Sequence, residues 1–179
     1  MITTREAVSE IETERLTLRR LSVGDAPFIL ALLNDPSFLR FIGDKGVRTL
    51  DDARRYIATQ MASYQRYGFG LYLTERRQDR APIGICGLVK RDSLDDVDVG
   101  FAFAPAFWSQ GYGAEAAAAV IAHATEVLKL PRVVAITNPD NAASMKLLNK
   151  IGLRFSRMTR LSANGPELTL FSTDSQTPP

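Results

Sequence analysis

The sequence predicts a mixed α/β fold on a single sheet, antiparallel in its first half. Two observations lead there. Seven short alternating or β-branched stretches and four stretches of helical period follow one another as β-α-α-β-β-β-α-β-α-β-β. No repeat and no Pro/Gly/Ser-rich linker interrupts them, and 179 residues suffice for one hydrophobic core. One domain is therefore expected over residues 1–172, followed by a polar, disordered tail, 173–179.

Each element has its own signal. Arg15–Leu21 alternates as RLTLRRL, with Leu16, Leu18 and Leu21 read on one side of a first strand. Ser22–Asp25 offers capping residues for a helix over Ala26–Leu33, with Pro27 in its first turn. Asn34-Asp35-Pro36 stops it, and Phe38–Ile42 adds a helical turn. Thr49 caps the next helix, with Asp51 and Asp52 where the helix dipole favours negative charge, and Tyr67-Gly68 ends it. Phe69–Glu75 and Pro82–Lys90 form a hairpin, and Asp95–Ala104 continues the meander. In that third strand Gly100 marks a bulge or a close backbone approach. A long helix follows from about Gly113 to Lys129, ended by Pro131. Arg132–Thr137 is a strand, and Ala142–Lys150 is a helix closed by Gly152. Leu153–Leu161 and Glu167–Ser172 pair as a last hairpin.

Composition narrows the function classes. A net charge of +2, dispersed along the chain, gives no electrostatic footprint for nucleic acid. A single cysteine, Cys86, cannot form an intrachain disulfide. The N-terminal segment is charged and lacks the apolar core of a signal peptide. No apolar run approaches the roughly 20 residues of a membrane span. A cytoplasmic protein with no membrane partner is expected, a monomer or homodimer, and no metal-ligand spacing occurs.

The segment Gln110-Gly111-Tyr112-Gly113-Ala114-Glu115-Ala116 lies between a strand and the long helix. Glycines there permit positive φ and leave backbone N–H groups uncovered. The helix start adds free N–H groups and a positive dipole end, making a phosphate cradle that needs no Lys or Arg. A P-loop would require Gly-Lys-Ser/Thr, which is absent. The dinucleotide fingerprint G-x-G-x-x-G/A matches Gly111, Gly113 and Ala116. Its strand, however, would have to run straight into the glycines, and this one ends at Ala104. Too little chain follows for the rest of a doubly wound sheet.

The stretch from Pro105 through Trp108, Ser109, Gln110, Gly111, Tyr112 and Gly113 resembles the acetyl-CoA pyrophosphate loop of GNAT acetyltransferases. The usual Gln/Arg of that loop is replaced by Trp108. Thr13-Glu14-Arg15-Leu16-Thr17-Leu18-Arg19 is similar to the opening strand of the RimJ/RimL-like branch. So is Asn141-x-x-Ser144 followed by Leu148, Lys150, Gly152 and Leu153 to its closing motif. The resemblance covers residues 12–172. It implies a GNAT fold: a central mixed seven-stranded sheet, helices on both faces, and a fourth and fifth strand that run parallel and splay apart. Acetyl-CoA would be the acetyl donor. Its pantetheine arm would bond backbone around Phe101 and Phe103. Its pyrophosphate would rest on amides of Ser109, Gln110, Gly111, Tyr112, Gly113 and Ala114. Asn141 and Ser144 would face the thioester end.

The implied reaction is transfer of acetyl directly to a primary amine, a protein N-terminal α-amine or a small amine. The amine must lose a proton, the oxyanion needs a donor, and the leaving thiolate gains from an acid. Asp98, in the strand entering the site, is the first candidate base and Glu167 the second. Leu148 occupies the position where many relatives carry a tyrosine acid, so Ser144 is assigned to the thiolate. That substitution keeps open an alternative, a catalytically weak acyl-CoA-binding module. Cys86, in GICGL, reads as a core residue. His123 reads as structural.

Overall fold

The computed structural model describes residues 9–174; most of the tail predicted to be disordered lies outside them. Among the described residues the sheet has eight strands, in the order β1-β2-β3-β4-β5-β6-β8-β7. They are β1 (Ser9–Glu12), β2 (Leu16–Arg20), β3 (Leu71–Arg76), β4 (Ala81–Val89), β5 (Val97–Phe103), β6 (Val133–Thr137), β7 (Arg154–Thr159) and β8 (Leu168–Ser172). The helices are α1 (Ala26–Leu33), α2 (Pro36–Phe41), α3 (Leu50–Tyr67), α4 (Tyr112–Glu126) and α5 (Ala142–Lys150).

The additional strand corrects the expected count of seven. β1 pairs antiparallel with β2, Ile11 opposite Leu18 and Glu12 opposite Thr17. Its sequence, Ser-Glu-Ile-Glu, has one apolar residue, and Ile11 alone packs on the core. A short charged strand at a sheet edge leaves no alternating signal, and its charges discourage edge-to-edge pairing. Leu21 is a second correction. Leu16 and Leu18 enter the cluster beneath α4, whereas Leu21 joins Ile29, Leu33 and Ile57 beneath α1 and α3.

The sheet is covered on both faces. Ala116, Ala117 and Ala124 of α4 are fully buried, and these small side chains let the helix lie close on β4 and β5. α5 joins that layer through Leu148. α3 begins with a reciprocal capping box between Thr49 and Asp52 and ends on left-handed Gly68. The sequence placed the end of α4 too late. The helix stops at Glu126, and Lys129 turns left-handed (φ 57°) while the Leu130 N–H bonds the Ala124 carbonyl.

β5 and β6 run parallel but pair only at Val97–Val133 and Asp98–Val134. β4 stays paired with β5 throughout Asp98–Phe103. Beyond Asp98 the sheet therefore opens between β5 and β6, as the splayed pair predicted. Gly100 forms no bulge against β4, since the register there is continuous. A Cβ at Gly100 would make only ordinary contacts, 3.5 Å from Leu71.

Candidate active site

The chain leaves β5 into a 3-10 turn, Pro105–Phe107, and Trp108 folds back over it. The Trp108 indole Nε1 donates to the Phe103 carbonyl (2.7 Å), and the Gln110 amide donates to the Ala106 carbonyl (3.2 Å). Ser109 and Gly111 both turn left-handed, at φ 59° and 83°. Gly111 is the N-cap of α4, and the first intrahelical bond runs from the Glu115 N–H to its carbonyl (3.1 Å). The amides of Tyr112, Gly113 and Ala114 precede that bond and lie at the positive end of the dipole. Free N–H groups at a helix start of this kind are able to hold an anion.

The two glycines serve different ends. Gly111 supplies the positive φ, jointly with Ser109, which sequence reading did not foresee. Gly113 is helical, not left-handed, and its role is close approach. A Cβ there would stand 2.9 Å from Leu147 Cδ1 and 3.6 Å from the Phe103 ring.

Sequence reasoning missed a charged brace under this loop. Arg15 Nε bonds Glu115 Oε2 (2.7 Å), its Nη1 bonds the Gln110 carbonyl (2.9 Å), and its guanidinium lies 4.5 Å from the centre of the Tyr112 ring. Glu115 Oε1 also accepts from the Thr13 hydroxyl (2.6 Å) and the Arg15 amide (2.9 Å). The loop thus does have an arginine beside it, brought by the bend that leads into β2. The only signal in the sequence was an arginine and a threonine in one motif and an acid in the first turn of another.

The inner edge of β5 carries unused backbone. The Ala104 N–H bonds the Ile83 carbonyl (2.9 Å). Alternation along this unbroken ladder directs the backbone groups of Asp98, Gly100 and Ala102 to β4 as well. Those of Val99, Phe101 and Phe103 face the opening instead. The Phe103 carbonyl is taken by Trp108, and the Asp98–Val134 pairing commits the Val99 N–H to the Val134 carbonyl, so Phe101 keeps both donor and acceptor there. The Phe101 and Phe103 rings pack on the α4 side.

Asp98 points to the opposite face and is 1% exposed. Its Oδ2 accepts from Arg91 Nε (2.9 Å), while Oδ1 has no hydrogen-bond partner among the described residues. Burial pushes the carboxyl up to about 6, with Arg91 pulling the other way. Val89 is its cross-strand partner in β4. Val89 also lines a cavity of about 300 Å³ beside α3, with Thr59, Gln60, Ser63, Arg66, Tyr67 and Lys90. Glu167 is not brought to Asp98. It lies at the β7–β8 turn, half-exposed and 3.4 Å from Arg160.

On the α4 face, Asn141 caps α5 by accepting from the Ser144 N–H (3.1 Å). Ser144 is half-buried in the first turn of α5. Asp98 thus lies on the sheet face opposite α4, while Ser144 sits in α5, the helix packed beside α4. Leu148 is 1% exposed within the core and offers no proton. Cys86 is fully buried and burial raises its thiol, as befits a core residue and not a nucleophile.

Residues 15–154 match the family described as acetyltransferase (GNAT) domain. The chain is 29% identical to the uncharacterized N-acetyltransferase YoaA of Bacillus subtilis (strain 168) over 145 residues, 80% of this chain and 82% of that protein. Its fold is similar to the acetyltransferase from Agrobacterium tumefaciens str. C58, with a TM-score of 0.80 and 24% identity, covering 95% and 96% of the two chains. It is also similar to the ribosomal L7/L12 alpha-N-protein acetyltransferase RimL in complex with coenzyme A. There the TM-score is 0.76 and the identity 16%, over 90% and 97% of the chains.

Proposed function

We propose, on the premise that the chain belongs to the GNAT acetyltransferase family, that it passes the acetyl group of acetyl-CoA directly to a primary amine. The protein is an acetyl-CoA-dependent acyltransferase; the acceptor and the residue roles are our reading. Bound acetyl-CoA supplies a thioester carbonyl as electrophile. The amides of Ser109–Ala114 hold its pyrophosphate, and the free backbone groups of Phe101 orient the arm between β5 and β6. An N–H on that edge stabilises negative charge on the carbonyl oxygen. Asp98 Oδ1, unpartnered and buried, takes the amine proton, directly or through a water. The Ser144 hydroxyl hydrogen-bonds the departing sulfur from the other face.

One observation carries this reading: β5 and β6 part just beyond Asp98, whose buried Oδ1 has no partner among the described residues, and β5 runs on into the glycine loop ahead of α4. The name of the RimL neighbour supports a protein N-terminal α-amine as acceptor. The cavity beside Val89 is the route by which such an amine reaches Asp98. The test pairs thermal shift with thiol release. Acetyl-CoA raises the melting temperature and NAD does not. Thiol release, followed over N-terminal peptides, polyamines and amino acids, identifies the acceptor.

Leu148, apolar and buried where an acid would serve, favours a second reading as an acyl-CoA-binding module. That reading requires CoA binding with thiol release no faster than the uncatalysed rate across the whole panel.

A further inference from the structure

We infer that Arg15 is a positioning residue for the pyrophosphate cradle, and that Glu115 is its obligatory partner. The inference rests on the cradle reading above. No peptide bond among the described residues is cis. In a trans peptide the carbonyl and the following N–H point in opposite directions. By bonding the Gln110 carbonyl at 2.9 Å, Arg15 therefore turns the Gly111 N–H away from itself and leaves it free for an anion.

The loop needs that hold. Ser109, a non-glycine residue, is left-handed, a conformation that costs on the order of 1 kcal/mol. The loop around it is exposed. Little else pins Gln110 apart from its own amide on Ala106. Arg15 ties the loop to β2, a strand inside the sheet, and stacks its guanidinium on the buried Tyr112 ring.

Glu115 completes the device and creates its central constraint. Its carboxylate stands in the first turn of α4, the same turn that would hold a phosphate. Burial opposes its ionisation, but hydrogen bonds from Thr13 and Arg15 prevail and keep it charged at neutral pH. An uncompensated anion there repels pyrophosphate. Paired with Arg15, it is neutralised and serves as a rigid post instead. Arg15 thus both aims an amide and cancels a charge.

The two functions make a signature that loss of fold does not imitate. Removing Arg15 frees the carbonyl and exposes the Glu115 charge. Removing the Glu115 charge in that background restores part of the binding. The experiment compares kcat/KM for acetyl-CoA with that for acetyl-pantetheine, which lacks the pyrophosphate, using the best amine from the acceptor panel. Calorimetric Kd values for CoA are measured in parallel. Arg15→Ala lowers the acetyl-CoA to acetyl-pantetheine ratio about 10-fold, through KM and not kcat, equivalent to ~1.4 kcal/mol. CoA binding weakens to match. Arg15→Ala/Glu115→Gln recovers part of the loss, and Arg15→Lys, which lacks the planar fork, does not recover all of it. An unchanged ratio in Arg15→Ala, or a double variant as weak as the single or weaker, overturns the inference. Should Arg15→Ala not fold, Arg15→Lys, which keeps the charge but loses the planar fork, carries the same ratio test: the ratio falls, and an unchanged ratio overturns the inference. A wild-type ratio near one points instead to failure of the cradle reading itself.

Discussion

Asp98 keeps a carboxyl buried at 1% exposure, and the consequences can be measured. If it takes the proton from the amine, activity requires its ionised form. The acid limb of kcat/KM then rises as pH passes about 6, the value to which burial lifts it. Asp98→Asn lowers kcat by about 100-fold, the lower end of what one general base contributes, and abolishes that limb. An unaltered profile in the variant removes Asp98 from the mechanism. Gly113 gives a second prediction. Gly113→Ala gains helix propensity worth about 1 kcal/mol and asks only the tip of Leu147 to move, so stability changes little. Gly113→Val adds branches into the space between Phe103 and Leu147 and weakens CoA binding at least ~10-fold, read by calorimetry. Of these features, Asp98 was legible as an acid in the strand entering the site. Its Arg91 partner was not, because seven residues and a loop separate them in the chain.

At the scale of elements, the cradle depends on how α4 begins. Gly111 holds a left-handed N-cap, and a Cβ there would also meet Arg15 Nη2 at 3.2 Å. Gly111→Ala therefore costs about 1–2 kcal/mol of stability and weakens CoA binding, measured by denaturant midpoint and titration. Asn141 caps α5, and Asn141→Ala costs about 1 kcal/mol. Repeating periods and caps made α1, α3 and α5 readable to the residue. The reading failed where no period exists. β1 has one apolar residue, and α4 ended before Pro131 because Lys129 adopted a left-handed turn that lysine does not advertise.

For the whole molecule, the buried carboxyl links stability to pH. Below about pH 4 Asp98 is protonated in both folded and unfolded chains and contributes no difference. Between about 4 and 6 the unfolded chain ionises it freely, while the folded chain holds the proton. Stability from this group is thus lost as pH rises through about 6. A shift from 3.8 to about 6 corresponds to roughly 3 kcal/mol. Urea denaturation of the wild type and of Asp98→Asn at pH 4 and pH 7 isolates it: the variant gains roughly that amount relative to wild type, and equal gains at both pH values refute it. The order of elements from β2 onward, the glycine loop ahead of α4 and the family resemblance were contained in the sequence by itself, since periodicity, caps and glycine spacing are local properties of the chain. The residue at which β5 and β6 part, the Arg91 partner of the buried Asp98, and the Arg15–Glu115 brace across 100 residues were decided only by the tertiary structure. They depend on strand register and layer packing, which join residues that no local pattern relates.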